Sequence, residues 1–423
     1  MKFTHWQPSL PERYQQLTSE ELRAAIQQRR DELGDDLVIL GHHYQTDDVI
    51  RHADFTGDSF KLSQLAAEQV QARGAKHVIF CGVHFMAESA DILTPDDVSV
   101  MLPDLSAGCS MADMADYDDV VDAWDAMHAS LAEQGWHGRV IPITYMNSTA
   151  AIKAFVGEHG GAVCTSSNAA KVFEWAMAGG AANEVAPLSE LCGTIQTPHP
   201  TSLRSATLSR GERGQIKLLF MPDQHLGRNT AAAYGMNVDT ETCVYDPKRT
   251  LRGEALGGMT AQQLLGSKVV LWAGHCSVHK LFRPEHCDQI RRESPETKIL
   301  VHPECCKEVV DRSDLNGSTE FIIRAIENAE PGTKWAIGTE VHLVNRLARD
   351  AAARGVSVRI LSDCQCLCTT MYRIDEPHLL WTLDNLAEGR VVNQVRVHPD
   401  VRQWALTALD RMLSLTNDLA QVD

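Results

Sequence analysis

Apolar and polar positions fall into repeating blocks along the chain. Short apolar runs of strand length lead through polar turns into stretches with apolar residues at helical spacing. The blocks read as three copies of one pattern. The first strands expected are Val38-Ile39-Leu40-Gly41-His42-His43-Tyr44, Val140-Ile141-Pro142-Ile143-Thr144-Tyr145-Met146-Asn147 and Ile299-Leu300-Val301-His302-Pro303-Glu304. A small hydroxyl cluster follows each one: Gly57-Asp58-Ser59, Thr165-Ser166-Ser167-Asn168 and Gly317-Ser318-Thr319. Such residues favour helix N-caps, so each cluster predicts a helix start. The first helix carries Leu62, Leu65, Ala66 and Val70 and should stop at Gly74; the third carries Phe321, Ile322, Ala325 and Ile326. Second strands are expected at His77–Phe80, Lys217–Phe220 and Lys334–Ile337, and third strands at Val98–Leu102, Val269–Trp272 and Val356–Leu361. After each third strand comes a cysteine: Cys109, Cys276 and the cluster Cys364-Gln365-Cys366-Leu367-Cys368.

The spacing between strands sets the organisation. Val38 to Val78 is 40 residues and Ile299 to Ile337 is 38, whereas Val140 to Leu218 is 78. Phe80 to Cys109 is 29 residues and Ile337 to Cys368 is 31, whereas Phe220 to Cys276 is 56. The second copy therefore carries two insertions, at about 184–215 and about 237–266, expected as surface loops. Strand–helix alternation predicts parallel sheets with helices packed on them. The expected fold is α/β: three similar three-layer α/β domains, 20–112, 113–277 and 278–423 with a C-terminal helical tail, around a pseudo-threefold axis. Ligands bind beyond the carboxyl ends of strands in open α/β sheets. All three motif sets sit at such ends, so one central site is expected.

Charge narrows the chemistry. The chain has 423 residues, 39 Lys+Arg against 56 Asp+Glu, and a net charge of −17. A nucleic-acid-binding protein would show a basic excess, so that class is excluded. Small anionic ligands are not excluded, because a pocket can be locally positive. There is no apolar run of transmembrane length, and the first residues lack the apolar core of a secretory signal, so a cytoplasmic protein is expected. Twelve cysteines in such a compartment are not a disulfide framework.

One cysteine per copy makes a three-thiolate cradle, suited to an iron–sulfur cluster or zinc. A cluster held by three cysteines would leave one iron open as a Lewis acid. Three helix N-termini, at Ser59, Ser166 and Ser318-Thr319, would attract anions. A single serine there is ordinarily a plain cap; the coincidence in three copies is what points to a ligand. His42, Tyr44, Tyr145, Asn147, His302 and Glu304 end the first strands and include groups suited to proton transfer. His279 follows Cys276 by three residues. His43, Asp58 and Glu88 carry less weight. Cys305, Cys306, Cys364 and Cys366 are spare thiols near the site, and Cys192 and Cys243 lie in or near the insertions.

Taken together, Gly41-His42-His43-Tyr44, Gly57-Asp58-Ser59, Ala107-Gly108-Cys109-Ser110-Met111-Ala112, Tyr145-Met146-Asn147-Ser148, Thr165-Ser166-Ser167, Pro222-Asp223-Gln224-His225-Leu226-Gly227, Gly274-His275-Cys276-Ser277-Val278-His279, His302-Pro303-Glu304-Cys305 and Gly317-Ser318-Thr319 resemble the quinolinate synthase family over about residues 36–396. The resemblance implies an enzyme that condenses iminoaspartate with dihydroxyacetone phosphate to quinolinate, the NAD precursor, with loss of phosphate and water. It implies a [4Fe–4S] cluster on Cys109, Cys276 and a third cysteine. Cys368, three residues before Met371, matches the family position, with Cys366 and Cys364 as alternatives because the C-x-C-x-C spacing here departs from the family's. The resemblance implies substrate contacts from His42, Ser59, Tyr145, Asn147, Ser166, His279, His302, Glu304 and Thr319, with Met146, Pro303 and Ser318 beside them. Tyr44, Glu304 and Tyr145 would move protons. It also implies functional coupling to an enzyme that oxidises L-aspartate. A hydro-lyase using the same open iron, and a non-enzymatic iron–sulfur or oxygen sensor, are the rival readings; a sensor would ordinarily carry an output module, and this chain shows none.

Overall fold

The structure, a computed structural model, describes residues 7–181, 215–363 and 366–417. It is α/β with three sheets. The first contains β1 (Leu37–His42), β2 (Phe55–Gly57), β3 (His77–Cys81) and β4 (Ser99–Met101). In the second are β5 (Arg139–Tyr145), β6 (Ala162–Cys164), β7 (Ile216–Met221), β8 (Thr242–Tyr245) and β9 (Val269–Trp272). The third holds β10 (Lys298–Val301), β11 (Leu315–Asn316), β12 (Lys334–Gly338) and β13 (Ser357–Ile360). Their orders are β2-β1-β3-β4, β6-β5-β7-β9-β8 and β11-β10-β12-β13, all parallel. The middles of the central strands are apolar because helices cover both faces: Val38, Ile39 and Leu40 are fully buried, as are Leu218, Leu219 and Phe220.

Two features differ from the expected pattern. Each sheet has a short outer strand, β2, β6 or β11, just before the hydroxyl cluster. With two or three residues, such strands are too short to show a period in the sequence. The segment 237–266 is not a plain surface loop. It supplies β8, paired in parallel to β9 with Thr242 opposite Val269, and the helix Ala261–Gly266. The other expected insertion, about 184–215, lies outside the described residues except for Gln215.

Helix starts explain how the hydroxyl clusters are presented. The helix Ser59–Arg73 is capped by Asp58, whose carboxylate accepts the N–H groups of Phe60 and Lys61 at 3.1 and 2.9 Å, and it stops at Gly74 with φ 68°. Ser59 is thus the first helical residue, not the cap. Ser318 caps the helix Thr319–Glu327, as expected. The second cluster departs from expectation: its helix begins at Ala169, so Ser166 precedes it by three residues. Asn168 gives no cap bond there because its side-chain oxygen accepts the Thr165 N–H at 2.7 Å and its amide donates to Thr416 at 3.0 Å.

The C-terminal elements return to the first two sheets. The helix Glu376–Ala387 packs on the helix Ser19–Leu33. There Asp384 accepts from Tyr14 at 2.9 Å and Arg29 at 2.7 Å. The strand β14 (Gln394–Val395) then pairs antiparallel with β4. The last helix, Pro399–Asn417, lies on the helix Ala150–Glu158, where Arg411 donates to the carbonyls of Gly157 and Gly161 at 2.9 and 2.8 Å. The two helices approach so closely that a Cβ on Gly157 would stand 2.0 Å from the Trp404 carbonyl oxygen. One apolar core runs through the first two sheets, and the third sheet has its own on each face. Cys276 and Cys368 pack against both the shared core and one of the third sheet's cores, while Tyr44 packs against the shared core and the other. No helix among the described residues is long and apolar enough to cross a membrane.

Gly157→Ala should lower stability by about 1–3 kcal/mol through overpacking, read as a lower denaturant midpoint. An unchanged midpoint would mean the last helix does not dock there.

Candidate active site

β1, β5 and β10 end at one buried cavity. Its lining includes His42, Tyr44, Ser59, Cys109, Tyr145, Met146, Asn147, Ser166, Cys276, His279, His302, Glu304, Thr319 and Cys368. Of the residues singled out from sequence for catalysis, substrate or metal, Pro303, Ser318 and the alternative ligand Cys366 fall outside this lining among the described residues. The Pro303 carbonyl accepts from Asn229 at 2.8 Å, and Ser318 is occupied as a helix cap beside a neighbouring groove. Asp58, given less weight, lines the cavity; His43 instead faces Glu320 at 3.1 Å, and Glu88 accepts the Ala150 N–H at 3.0 Å. No lysine or arginine is among the described residues lining the cavity.

Two histidines are fixed by the same local device. The Tyr44 N–H donates to His42 Nδ1 at 3.1 Å, and the Glu304 N–H donates to His302 Nδ1 at 3.3 Å. Each ring therefore keeps its proton on Nε2. Burial holds His42 well below its ordinary pKa and holds His302 at about 3. Both are neutral hydrogen-bond donors at neutral pH.

A hydrogen-bonded network joins the ends of the three sheets. The Tyr44 hydroxyl lies 3.2 Å from Thr319 Oγ1 and 2.9 Å from Thr339 Oγ1. Thr339 in turn lies 3.2 Å from His279 Nε2, and His279 Nδ1 lies 2.7 Å from Glu304 Oε2. Glu304 and Ser166 are the side chains that act on the Tyr145 hydroxyl, and all three line the cavity. The His279 ring stacks on His302 with centroids 4.5 Å apart. Burial pushes the Glu304 carboxyl up, but His279, His302 and the Tyr145 hydroxyl outweigh it and hold the group at about 2. Glu304 is therefore a buried carboxylate. Burial, with Glu304 adding to it, pushes the phenols of Tyr44 and Tyr145 well above their ordinary range, so both stay protonated.

The three cysteines come one from each sheet. Burial pushes the Cys109 thiol up to about 12, Cys276 well above its ordinary range and Cys368 upward, and each of the first two feels the neighbouring sulfurs. Neighbouring backbone N–H groups oppose that rise at every sulfur: Ala112 and Met111 at Cys109, His279 at Cys276, and Met371 and Thr370 at Cys368. Buried sulfurs with N–H donors and no cationic side chain in the cavity suit a metal cluster, whose charge makes the thiolates affordable. The donor set fits an iron–sulfur cluster. Cys366 is fully buried outside this cavity, with Sγ 3.1 Å from Ser362 Oγ, and Cys364 lies outside the described residues. Cys305 is buried in the third sheet's core, and Cys243 Sγ lies 3.1 Å from Ser267 Oγ.

Two residues were missed in the sequence. Thr339 follows β12 directly and links Tyr44 to His279; its position in Gly338-Thr339-Glu340, at a strand end, was the available signal. Lys153 is fully buried and donates to the carbonyl oxygens of Met146 (2.9 Å) and Ser148, which holds the turn that presents Asn147. Burial lowers its ammonium to about 8 despite the opposing pull of Glu88. The signal was a lysine within the apolar run Ala150–Gly157.

A family model described as "Quinolinate synthetase A protein" matches residues 24–196 and 201–414. A protein named quinolinate synthase from Acidobacterium capsulatum is 50% identical over 403 residues, covering 95% of each chain. Quinolinate synthases from Rhodopirellula baltica and Geobacillus kaustophilus are each 47% identical, covering 95% and 96% of this chain and 93% and 96% of their own. These relatives are enzymes, which sets the sensor reading aside.

His302 gives the metal-free protein an acid-sensitive element. Its folded pKa of about 3 lies below the unfolded value of 6.5, so its contribution is present above pH 6.5 and is lost as pH falls toward 3. The stability of His302→Gln, measured by denaturant titration, should fall less steeply than wild type from pH 6.5 to 4. Equal slopes would contradict the neutral, buried assignment.

Proposed function

Since the chain belongs to the quinolinate synthase family, we propose that it condenses iminoaspartate with dihydroxyacetone phosphate to quinolinate, with loss of phosphate and water. We read its three sheets, which share the four-strand order, as three α/β domains at 20–112, 113–277 and 278–423 around a pseudo-threefold axis. The observation that carries the reading is the meeting of His42, Tyr44, Tyr145, Asn147, Ser166, His302, Glu304 and Thr319 with Cys109, Cys276 and Cys368 on one buried cavity.

Cys109, Cys276 and Cys368 would hold a [4Fe–4S] cluster, whose open iron supplies Lewis acidity that makes a hydroxyl a better leaving group. The chain's own residues do the rest. With no lysine or arginine among the described lining residues, the substrate carboxylates are met by neutral donors: the Nε2–H groups of His42 and His302, the hydroxyls of Ser59, Ser166 and Thr319, and the Asn147 amide. Holding both substrates in one cavity accounts for up to about 7–11 kcal/mol of the bond-forming barriers. Glu304, ionised and paired with His279 at 2.7 Å, takes the proton released at a reacting carbon or nitrogen. Tyr44 and Tyr145, both protonated, return protons to departing oxygens. Iminoaspartate hydrolyses in water, so an enzyme oxidising L-aspartate supplies it in the same compartment, which we place in the cytoplasm.

The test is an anaerobic preparation assayed for iron, sulfide and quinolinate. About four irons and four sulfides per chain, with quinolinate formed from both substrates, are expected. A cluster without quinolinate would contradict the reading. Cys109→Ala, Cys276→Ala and Cys368→Ala should each lose cluster and activity, whereas Cys366→Ala should keep both; activity retained in any of the first three removes that cysteine from the set. Glu304→Gln should keep iron and sulfide and lose turnover by at least about a hundredfold, the ordinary range for a general base. Loss of the cluster in that variant would make Glu304 a structural residue.

A further inference from the structure

Cys276, His279 and Glu304 form a tighter donor group than the three cysteines. A sulfur, a ring nitrogen and a carboxylate oxygen from these residues all lie within 4.8 Å of one another, with His279 and Glu304 buried. We propose that the chain without its cluster binds one divalent, zinc-type ion at Cys276, His279 and Glu304, and that this mononuclear site blocks cluster assembly.

The donor types are those of zinc sites with three protein ligands and one open position. Their charges also suit burial. One thiolate and one carboxylate neutralise a dication, so the complex carries no net charge into a cavity whose described lining has no lysine or arginine. The surrounding contacts are those that orient metal ligands. Thr339 lies 3.2 Å from His279 Nε2 and can accept its proton, which frees Nδ1 as a ligand. The Cys276 N–H donates to Asp223 Oδ2 at 3.2 Å and fixes the loop carrying the sulfur. Binding displaces two protons, the thiol proton of Cys276 and the one between His279 Nδ1 and Glu304 Oε2, which lie 2.7 Å apart. Cys109 and Cys368 are not in this close group. The two sites share Cys276, so they cannot be filled together. The blocking half of the inference rests on the cluster reading above; the metal site itself does not.

The test uses the full chain, stripped of cluster anaerobically and titrated with Co2+. The expected result is one Co2+ per chain, displaced by Zn2+, with a charge-transfer band of one thiolate. Alkylation under mildly denaturing conditions that keep Co2+ bound, mapped by mass spectrometry against the metal-free chain, should slow on Co2+ binding at Cys276 and not at Cys109 or Cys368. His279→Ala should lose the Co2+ band yet still take up about four irons on reconstitution, which also shows that it folds. Glu304→Gln should weaken Co2+ binding and keep the one-thiolate band. Wild type preloaded with Zn2+ should take up no cluster until the zinc is chelated. A three-thiolate band, equal protection of the three cysteines, or unchanged Co2+ affinity in His279→Ala overturns the site. Unhindered cluster uptake with zinc in place overturns the blocking. A wild type that binds Co2+ as described but forms no cluster in zinc-free buffer supports the site and overturns the cluster reading instead.

Discussion

The carboxylate of Glu304 is the constraint on which the site depends. An ion of this kind taken out of water costs several kcal/mol unless its partners are already in place. Here they come from two sheets: His279 from the loop after β9 and Tyr145 from the end of β5, both in the second, and His302 two residues back along the third sheet's own strand end. Ser166 extends the chain beyond Tyr145, and Thr339 extends it from His279 to Tyr44. No sheet could move independently without leaving a buried charge or hydroxyl unpaired.

The same convergence explains the sulfurs. Parallel strands point their carboxyl ends the same way, so the loops that follow the last strand of each sheet meet where the first strands end. Neighbouring backbone N–H groups favour thiolates at Cys109, Cys276 and Cys368, while burial penalises them in the absence of metal. The C-terminal helices, returning to the first two sheets through Asp384 and Arg411, hold together units that the chain order alone would leave separate.

The strands and the cavity lining were legible in the sequence because they rest on local rules. Apolar runs such as Val38–Leu40 mark buried parallel strands, and Gly74 marks a helix end. The position of Ser166 was not, because Asn168 turns its side chain to Thr165 and to Thr416, some 250 residues away in sequence. β8 reads as loop in the sequence because a four-residue edge strand carries little pattern, and its pairing with β9 is a tertiary choice. Lys153 and Thr339 escaped notice for a related reason: their roles lie in contacts with the carbonyls of Met146 and Ser148 and with Tyr44 and His279, and no local motif encodes those contacts.

The central claim is that one residue from each sheet meets at a single metal centre beside Glu304. The most direct measurement is the anomalous diffraction of iron in crystals grown anaerobically from cluster-loaded protein. The account predicts one compact iron peak bonded to Cys109, Cys276 and Cys368 on the wall that Glu304 shares. Iron bonded instead to Cys305, Cys306 or Cys366, or no iron in that cavity, would contradict it.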